Sequence, residues 1–285
     1  MPEQEKIYVP PLKIQGIKTK LVPLIRESVI LNPDTLWVEP FMGSGVVGFN
    51  MEPRRALFAD LNPHIIAFYN AIKSGNVTAR MVREHLEEQG ALLAEKGEAH
   101  YYAVRERFNA SHEPLDFLFL NRSCFNGVMR FNRNGQFNVP YGHKPQRFSK
   151  AYVTKIVHQV ERVETRLRQC DWHFVCRPYQ ETIAEASDDA FLYCDPPYVG
   201  RHVDYYGNWD EASERELCAT LKASGRRFML STWEENRYRR NECVDTIWGF
   251  CRKLNQTHFY HVGAKEANRN PIIEALMINY DPPSA

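Results

Sequence analysis

The chain has 285 residues, 44% of them hydrophobic, enough for one large or two modest domains with a sizeable core. No run of 18 apolar residues and no apolar leader core occur, which argues against a membrane span or an exported chain and sets the expectation of a cytoplasmic protein. The net charge of +1 conceals an asymmetry: between Asp116 and Glu161 there is no acidic residue, while Arg122, Arg130, Arg133, Lys144, Arg147, Lys150 and Lys155 fall there, interleaved with Phe125, Phe131, Phe137, Tyr141, Phe148 and Tyr152, as suits a nucleic-acid contact surface.

Residues 1–12 read as extended and poorly ordered, because Pro2, Pro10 and Pro11 block a helix. A basic turn at 13–20 feeds a helix with Leu21, Leu24, Ile25 and Val29 on one side. That turn is either a place for an anionic group or an ordinary solvated loop. Leu36-Trp37-Val38-Glu39 predicts a strand, and Pro40-Phe41-Met42-Gly43-Ser44-Gly45 a glycine-rich loop opening a helix. Gly43, Gly45 and Gly48 meet the dinucleotide fingerprint, so a nicotinamide-dependent oxidoreductase is one reading. Against it, the Glu39 carboxylate beside the loop would repel a pyrophosphate, whereas it would favour the ammonium and sulfonium of S-adenosylmethionine, and no hydride-transfer constellation follows. A second strand at 55–59 ends in Asp60-Leu61-Asn62-Pro63. Asp60 is placed to bond ribose hydroxyls, to cap the helix that Pro63 opens, or both.

From 77 to 120 the pattern is helical, and the strand-helix rhythm is interrupted. Residues 121–144 carry the turn signals Phe125-Asn126-Gly127, Asn134-Gly135-Gln136 and Tyr141-Gly142, predicting loop and a short hairpin. A helix is predicted over 149–168, a strand over 172–176 followed by Arg177-Pro178-Tyr179, a helix near 211–223, and strands at 227–231, near 256–262 and at 272–280. Between them the apolar run Ala190-Phe191-Leu192-Tyr193-Cys194 stops at Asp195-Pro196-Pro197-Tyr198. Two prolines cannot extend a sheet, so Asp195 is held at the carboxyl end of a buried strand, where open α/β sheets keep their ligand sites. The loop 199–210, with Tyr205, Tyr206 and Trp209, is a candidate active-site lid. The seven cysteines include no Cys-x-x-Cys pair, and Cys243, Cys251, His258 and His261 match no common zinc spacing, so reduced thiols and no metal are expected.

Four segments, in this order, resemble the DNA adenine-N6 methyltransferases of the Dam and DpnII group, the α-type, D12-class amino methyltransferases. They are residues 13–18, Glu39-Pro40-Phe41-Met42-Gly43-Ser44-Gly45, residues 121–142, and Asp195-Pro196-Pro197-Tyr198. The third segment contains Phe125-Asn126-Gly127-Val128-Met129-Arg130-Phe131-Asn132 and Gly135-Gln136-Phe137-Asn138-Val139-Pro140-Tyr141-Gly142, and is the most specific. The resemblance implies an α/β S-adenosylmethionine-dependent methyltransferase (Rossmann-like) fold, a mostly parallel sheet with an inserted helical and hairpin domain. The catalytic domain would comprise 1–75 and 170–285, and a target-recognition domain 76–169. It implies Lys18, Phe41, Gly43, Gly45, Asp60, Tyr179 and Asp195 at the cofactor S-adenosylmethionine, with Asp195, Pro196 and Tyr198 at the target adenine. Lys13, Phe125, Asn126, Arg130 and Pro140 would lie on double-stranded DNA. Arg130 corresponds to the family's guanine-reading arginine, which implies a site containing GA, such as GATC. A monomer is expected, acting alone or beside a cognate restriction endonuclease in a restriction-modification system. Ile14 and Ile17 stand where the family has tryptophan and glycine.

The chemistry fits these residues. An exocyclic amino nitrogen is a poor nucleophile, and a carboxylate and a neighbouring main-chain carbonyl can each accept a hydrogen bond from it and direct the lone pair. Base flipping gives access to it. An RNA adenine methyltransferase would share the loop and Asp-Pro-Pro-Tyr without needing this insertion. A cytosine-N4 enzyme more often has serine at position 195, and a non-catalytic DNA-binding relative would show degraded motifs.

Overall fold

Apolar runs become strands and the helically spaced runs become helices in the computed structural model, which describes residues 6–199, 209–236, 239–259 and 271–283. The order is α1 (Val22–Ser28), β1 (Leu36–Glu39), α2 (Val46–Met51), β2 (Arg55–Asp60), α3 (Pro63–Ser74), α4 (Ala79–Lys96), α5 (Glu98–Ser111), α6 (Pro114–Ser123), α7 (Lys150–Gln169), β3 (Asp171–Cys176), α8 (Tyr179–Glu185), β4 (Phe191–Cys194), α9 (Glu211–Ser224), β5 (Arg227–Asn236), α10 (Cys243–Thr246), β6 (Arg252–Phe259) and β7 (Pro271–Ile278). Among the described residues these strands form one seven-stranded sheet ordered β3-β2-β1-β4-β5-β7-β6. β3 to β5 run parallel, and β7 lies antiparallel between β5 and β6. This is a Rossmann-like α/β sheet whose winding reverses between β1 and β4, the place where such sheets open a crevice.

The central strands read as unbroken apolar runs because both faces are covered. Trp37 of β1 with Phe191 and Tyr193 of β4 enter one apolar cluster, while Val38, Leu192 and Cys194 enter the other. α8, α9 and α10 cover the second face through Ile183, Leu217, Leu221 and Val244. On the first face lie Phe49 of α2 and Phe68 of α3, and the same cluster continues into α4 to α7 through Leu86, Phe108, Phe117 and Val160. The interruption predicted in the strand-helix rhythm is thus a four-helix run between α3 and β3 that shares a core with one face of the sheet.

Several local expectations change. Residues 8–12 are not loose: Tyr8 and Leu12 are buried, Tyr8 exchanges main-chain bonds with the Asn50 side chain, and Arg122 Nε donates to the Pro11 carbonyl at 2.7 Å. Prolines exclude helix but not a packed extended strap. β5 continues to Asn236 and β6 begins at Arg252, because β7 offers both a long antiparallel partner. Residues 124–142 form no named strand, only the isolated bridges Cys124 to Tyr141 and Phe131 to Phe137. Of the expected lid, residues 200–208, with Tyr205 and Tyr206, lie outside the described residues, as does His261. Among the described residues no helix is long and apolar enough to cross a membrane, and no group of three His, Cys, Asp or Glu could hold a metal ion.

Candidate active site

The glycine loop leaves β1 at Glu39 and enters α2 at Gly45. Gly43 (φ 50°) and Gly45 (φ 74°) both take left-handed backbone, which side chains resist. A Cβ on Gly45 would also come within 2.8 Å of the Phe49 ring. Asp60, at the end of β2, locks this loop: its Oδ2 accepts from Gly43 N at 2.8 Å and its Oδ1 from Asn62 N at 2.9 Å. Burial pushes the Asp60 carboxyl upward, and these N–H donors oppose the shift. The cap of α3 is Asn62, which accepts from His64 N and Ile65 N, so Asp60 does not cap that helix and serves the loop instead. Glu39 is buried and accepts from Trp37 Nε1 at 2.8 Å. Burial, and to a lesser degree the Asp195 charge, pushes its carboxyl to about 8, despite the Trp37 and Gly48 N–H donors.

Asp195 leaves β4 with both carboxylate oxygens engaged. Ser231 Oγ, buried on β5, donates to Oδ1 at 2.8 Å, and Tyr193 OH donates in turn to Ser231 Oγ at 3.2 Å. The buried Lys18 Nζ lies 3.0 Å from Oδ2, donates to the Gly16 carbonyl at 2.7 Å, and sits 4.8 Å from the centre of the Tyr198 ring. Tyr198 OH reaches Glu274 Oε1 on β7 at 3.4 Å.

Both constellations open into one cavity of about 480 Å³, between the carboxyl ends of β1 and β4. Lys18, Phe41, Gly43, Asp60, Tyr179, Asp195, Pro196 and Tyr198 line it together with Glu39, and Ile14 and Ile17 close one side. Gly45 turns the chain into α2 and does not line it. Phe41 and Tyr179 stack at 5.2 Å between ring centres, and Trp209 meets Phe41 edge-on at 5.7 Å. Sequence alone assigns no site role to Ser231 and Glu274, which reach the site from neighbouring strands, or to Tyr193, which lines the cavity from β4 itself. Trp209, expected in a candidate active-site lid, lines the cavity.

None of Lys13, Phe125, Asn126, Arg130 and Pro140 lines this cavity. Lys13, Phe125, Asn126 and Pro140 gather where the strap meets the end of α6, and Arg130 lies farther along the segment beside Asn138. The Asn121 side chain brackets Lys13, accepting from its N and donating to its O at 2.8 Å each. Phe125 and Asn126 are exposed on a tight turn, with Asn126 left-handed (φ 54°), and Phe125 N donates to the Pro140 carbonyl at 2.9 Å. Arg130 is held by Asn138: Nε donates to Oδ1 at 2.9 Å and Nη2 to the carbonyl at 3.2 Å. Of the seven basic residues read as a surface, Arg122 is buried instead, bonded to the Pro11 carbonyl and to Gln159 Oε1, and Arg147 turns inward to the Arg122 carbonyl and Tyr152 OH. Arg122 thus pins the strap, and Arg147 braces the end of α6 against Tyr152.

Comparison with known proteins bears on this arrangement. The family described as D12 class N6 adenine-specific DNA methyltransferase matches residues 15–265. The DNA adenine methylase of Vibrio cholerae serotype O1 is 32% identical over 259 residues, covering 85% of this chain and 86% of that protein. That of Serratia marcescens is 35% identical over 230 residues, covering 75% and 79%. Among solved structures, the rRNA methyltransferase aviRa from Streptomyces viridochromogenes aligns with a TM-score of 0.35 and 12% identity, over 92% of this chain and 82% of that one, too distant to bear on function.

Proposed function

This chain belongs to the D12 class N6 adenine-specific DNA methyltransferases, and we propose that it methylates an adenine turned out of duplex DNA, using S-adenosylmethionine, at a site containing GA such as GATC. The observation that carries the reading is the shared cavity: Asp195-Pro196-Pro197-Tyr198 and the glycine loop with Glu39 and Asp60 face one space. Its volume lies within the usual range for a small-molecule site.

The residues present fit S-adenosylmethionine. Glu39 suits its ammonium, Asp60 its ribose hydroxyls, and the Phe41 and Tyr179 rings its adenine. The Tyr179 hydroxyl is buried with no partner among the described residues, as expected of a group that waits for a ligand. When bound, S-adenosylmethionine supplies an electrophilic methyl group on a sulfonium.

The remaining work belongs to the chain. Tyr198 gives the flipped adenine a face to stack on. The Asp195 carboxylate and the Pro196 carbonyl each accept a hydrogen bond from the amino group, which directs the N6 lone pair at the methyl carbon. Neither Pro196 nor Pro197 has an N–H to compete, and the turn they make is stiff. Ser231 fixes Asp195 through Oδ1, so the amino group takes Oδ2, where Lys18 now sits. Lys18 therefore yields that position as the base arrives. Residues 76–169 serve as the target-recognition part. Phe125 and Asn126 meet the base stack, and Arg130 reads guanine O6 and N7 with the guanidinium edge that Asn138 leaves free.

Single-turnover transfer of labelled methyl to short duplexes tests the reading. Incorporation at adenine N6 in GA-containing duplexes is expected. Preference for RNA, or a cytosine product, would overturn it.

A further inference from the structure

The cavity carries an aromatic wall fixed by a device unrelated to either motif. We infer that Glu214 is a positioning residue, which holds Trp209 as the third ring of the aromatic wall that meets the cofactor's adenine. The inference rests on the cofactor reading above and assigns a role to two residues outside its motifs.

The aromatic wall is assembled from three separate segments. Phe41 follows β1, Tyr179 opens α8 and Trp209 precedes α9. Phe41 and Tyr179 stack at 5.2 Å with an angle of 30°, and Trp209 meets them edge-on at 5.7 Å and 6.0 Å. An aromatic cluster on the side of a cavity suits a planar heteroaromatic ring, which can stack on or meet its rings edge-on.

The local sequence explains how Trp209 is held. Asp210 caps α9, accepting from Ser213 N, so Trp209 is the residue before the cap and Glu214 the fourth inside the helix. In many helices these two positions carry an apolar pair that staples the entering chain. Here a polar bond replaces it. Trp209 Nε1 donates to Glu214 Oε2 at 2.7 Å, while Trp248 Nε1 donates to Oε1 at 2.8 Å. Trp248 is 0% exposed and Glu214 3%, so the carboxyl bridges an immobile core indole and an indole on the cavity wall. A buried carboxyl is costly, and an apolar side chain at this position would satisfy the helix equally well. Burial pushes the Glu214 acid upward while the two indole N–H groups lower it, consistent with a carboxyl retained for these bonds.

The experiment is calorimetric titration of the full chain with S-adenosylhomocysteine. Wild-type binding tests the cofactor reading, and its absence would remove that reading independently. Given binding, Trp209→Ala should weaken it roughly tenfold, and Glu214→Met and Trp209→Phe each by roughly three- to fivefold, because each removes the same bond. Trp248→Phe should leave affinity within about twofold. In the Trp209→Phe background, Glu214→Met should add nothing, an outcome that a merely structural role would not give. Ligand quenching of indole fluorescence should vanish in Trp209→Phe and persist in Trp248→Phe. Wild-type affinity in Trp209→Ala, or additive losses in the double variant, would overturn the assignment.

Discussion

The carboxyl ends of β1 and β4 and the segment 124–142 hold their functional groups in opposite ways. At the strand ends each group is fixed by buried neighbours: Asp195 by Ser231 and Lys18, and Gly43 by Asp60. The segment 124–142 is anchored at Met129, Phe137, Val139 and Tyr141 in the core and by the Asn109 side chain on the Phe137 main chain, but its first turn stands clear and leaves Phe125 51% exposed. Groups that must meet a small reacting centre within tenths of an ångström sit on packed strands. Groups that must meet a large, polar partner stand out in water on turns. Substitutions in the first region should therefore alter chemistry, and in the second should alter the choice of DNA while sparing the fold.

The sharpest way to break this contrast is Asp195→Ala. It should lower single-turnover methylation at least about a hundredfold, since a fixed acceptor for the reacting group is lost, while duplex affinity by fluorescence anisotropy stays near wild type. Arg130→Ala comes next: it should cost ~1–3 kcal/mol, at the guanine alone, in methylation of duplexes varied at each base pair. A uniform loss across the panel would make Arg130 a phosphate contact and blur the two regions. The third concerns Glu39. Its carboxyl, raised from 4.5 to about 8, must ionise to meet an ammonium, so S-adenosylhomocysteine affinity should rise with pH, by at most about tenfold per unit, and level off above about 8. Stability should run the other way. The fold prefers the protonated acid, so this contribution is fully present below the unfolded value and fades as pH climbs through about 8. Glu39→Gln should flatten both profiles. The smallest effect is Phe125→Ala, which should change urea stability by no more than about 0.5 kcal/mol, because the ring is largely in water. The 2-aminopurine signal of base flipping should nevertheless fall.

Features encoded within one short stretch were legible. The stop at Asp195-Pro196-Pro197-Tyr198, the left-handed glycines of the loop, Pro63 at the start of α3 and the helical interruption between α3 and β3 each follow from local residues. Features made by residues far apart in the chain were not. Ser231 reaches Asp195 only because β5 pairs with β4. Arg122 looked like surface charge because nothing near it in sequence reveals that the carbonyls of Pro10 and Pro11 will pack against α6. Asp60 and Asn62 are two positions apart and both suit a helix cap. Their division of labour depends on Gly43 lying alongside.

The strap at residues 8–18 touches the molecule at successive points. Tyr8 is tied to Asn50 of α2 and to the Gln159 carbonyl of α7, Pro11 to Arg122, Lys13 to Asn121, and Lys18 to Asp195. Asn121 and Arg122 lie in the last turns of α6, immediately before the turn that exposes Phe125 and Asn126. A displacement at that turn thus has a mechanical route to the acid that bypasses the sheet entirely. It passes through the α6 terminus to Lys13, and along five peptide units to Lys18. The strap thus acts as a tendon between the end of α6 and the carboxyl end of β4, and in the proposed reaction the pull would arrive at the ammonium that yields Asp195 Oδ2 to the adenine.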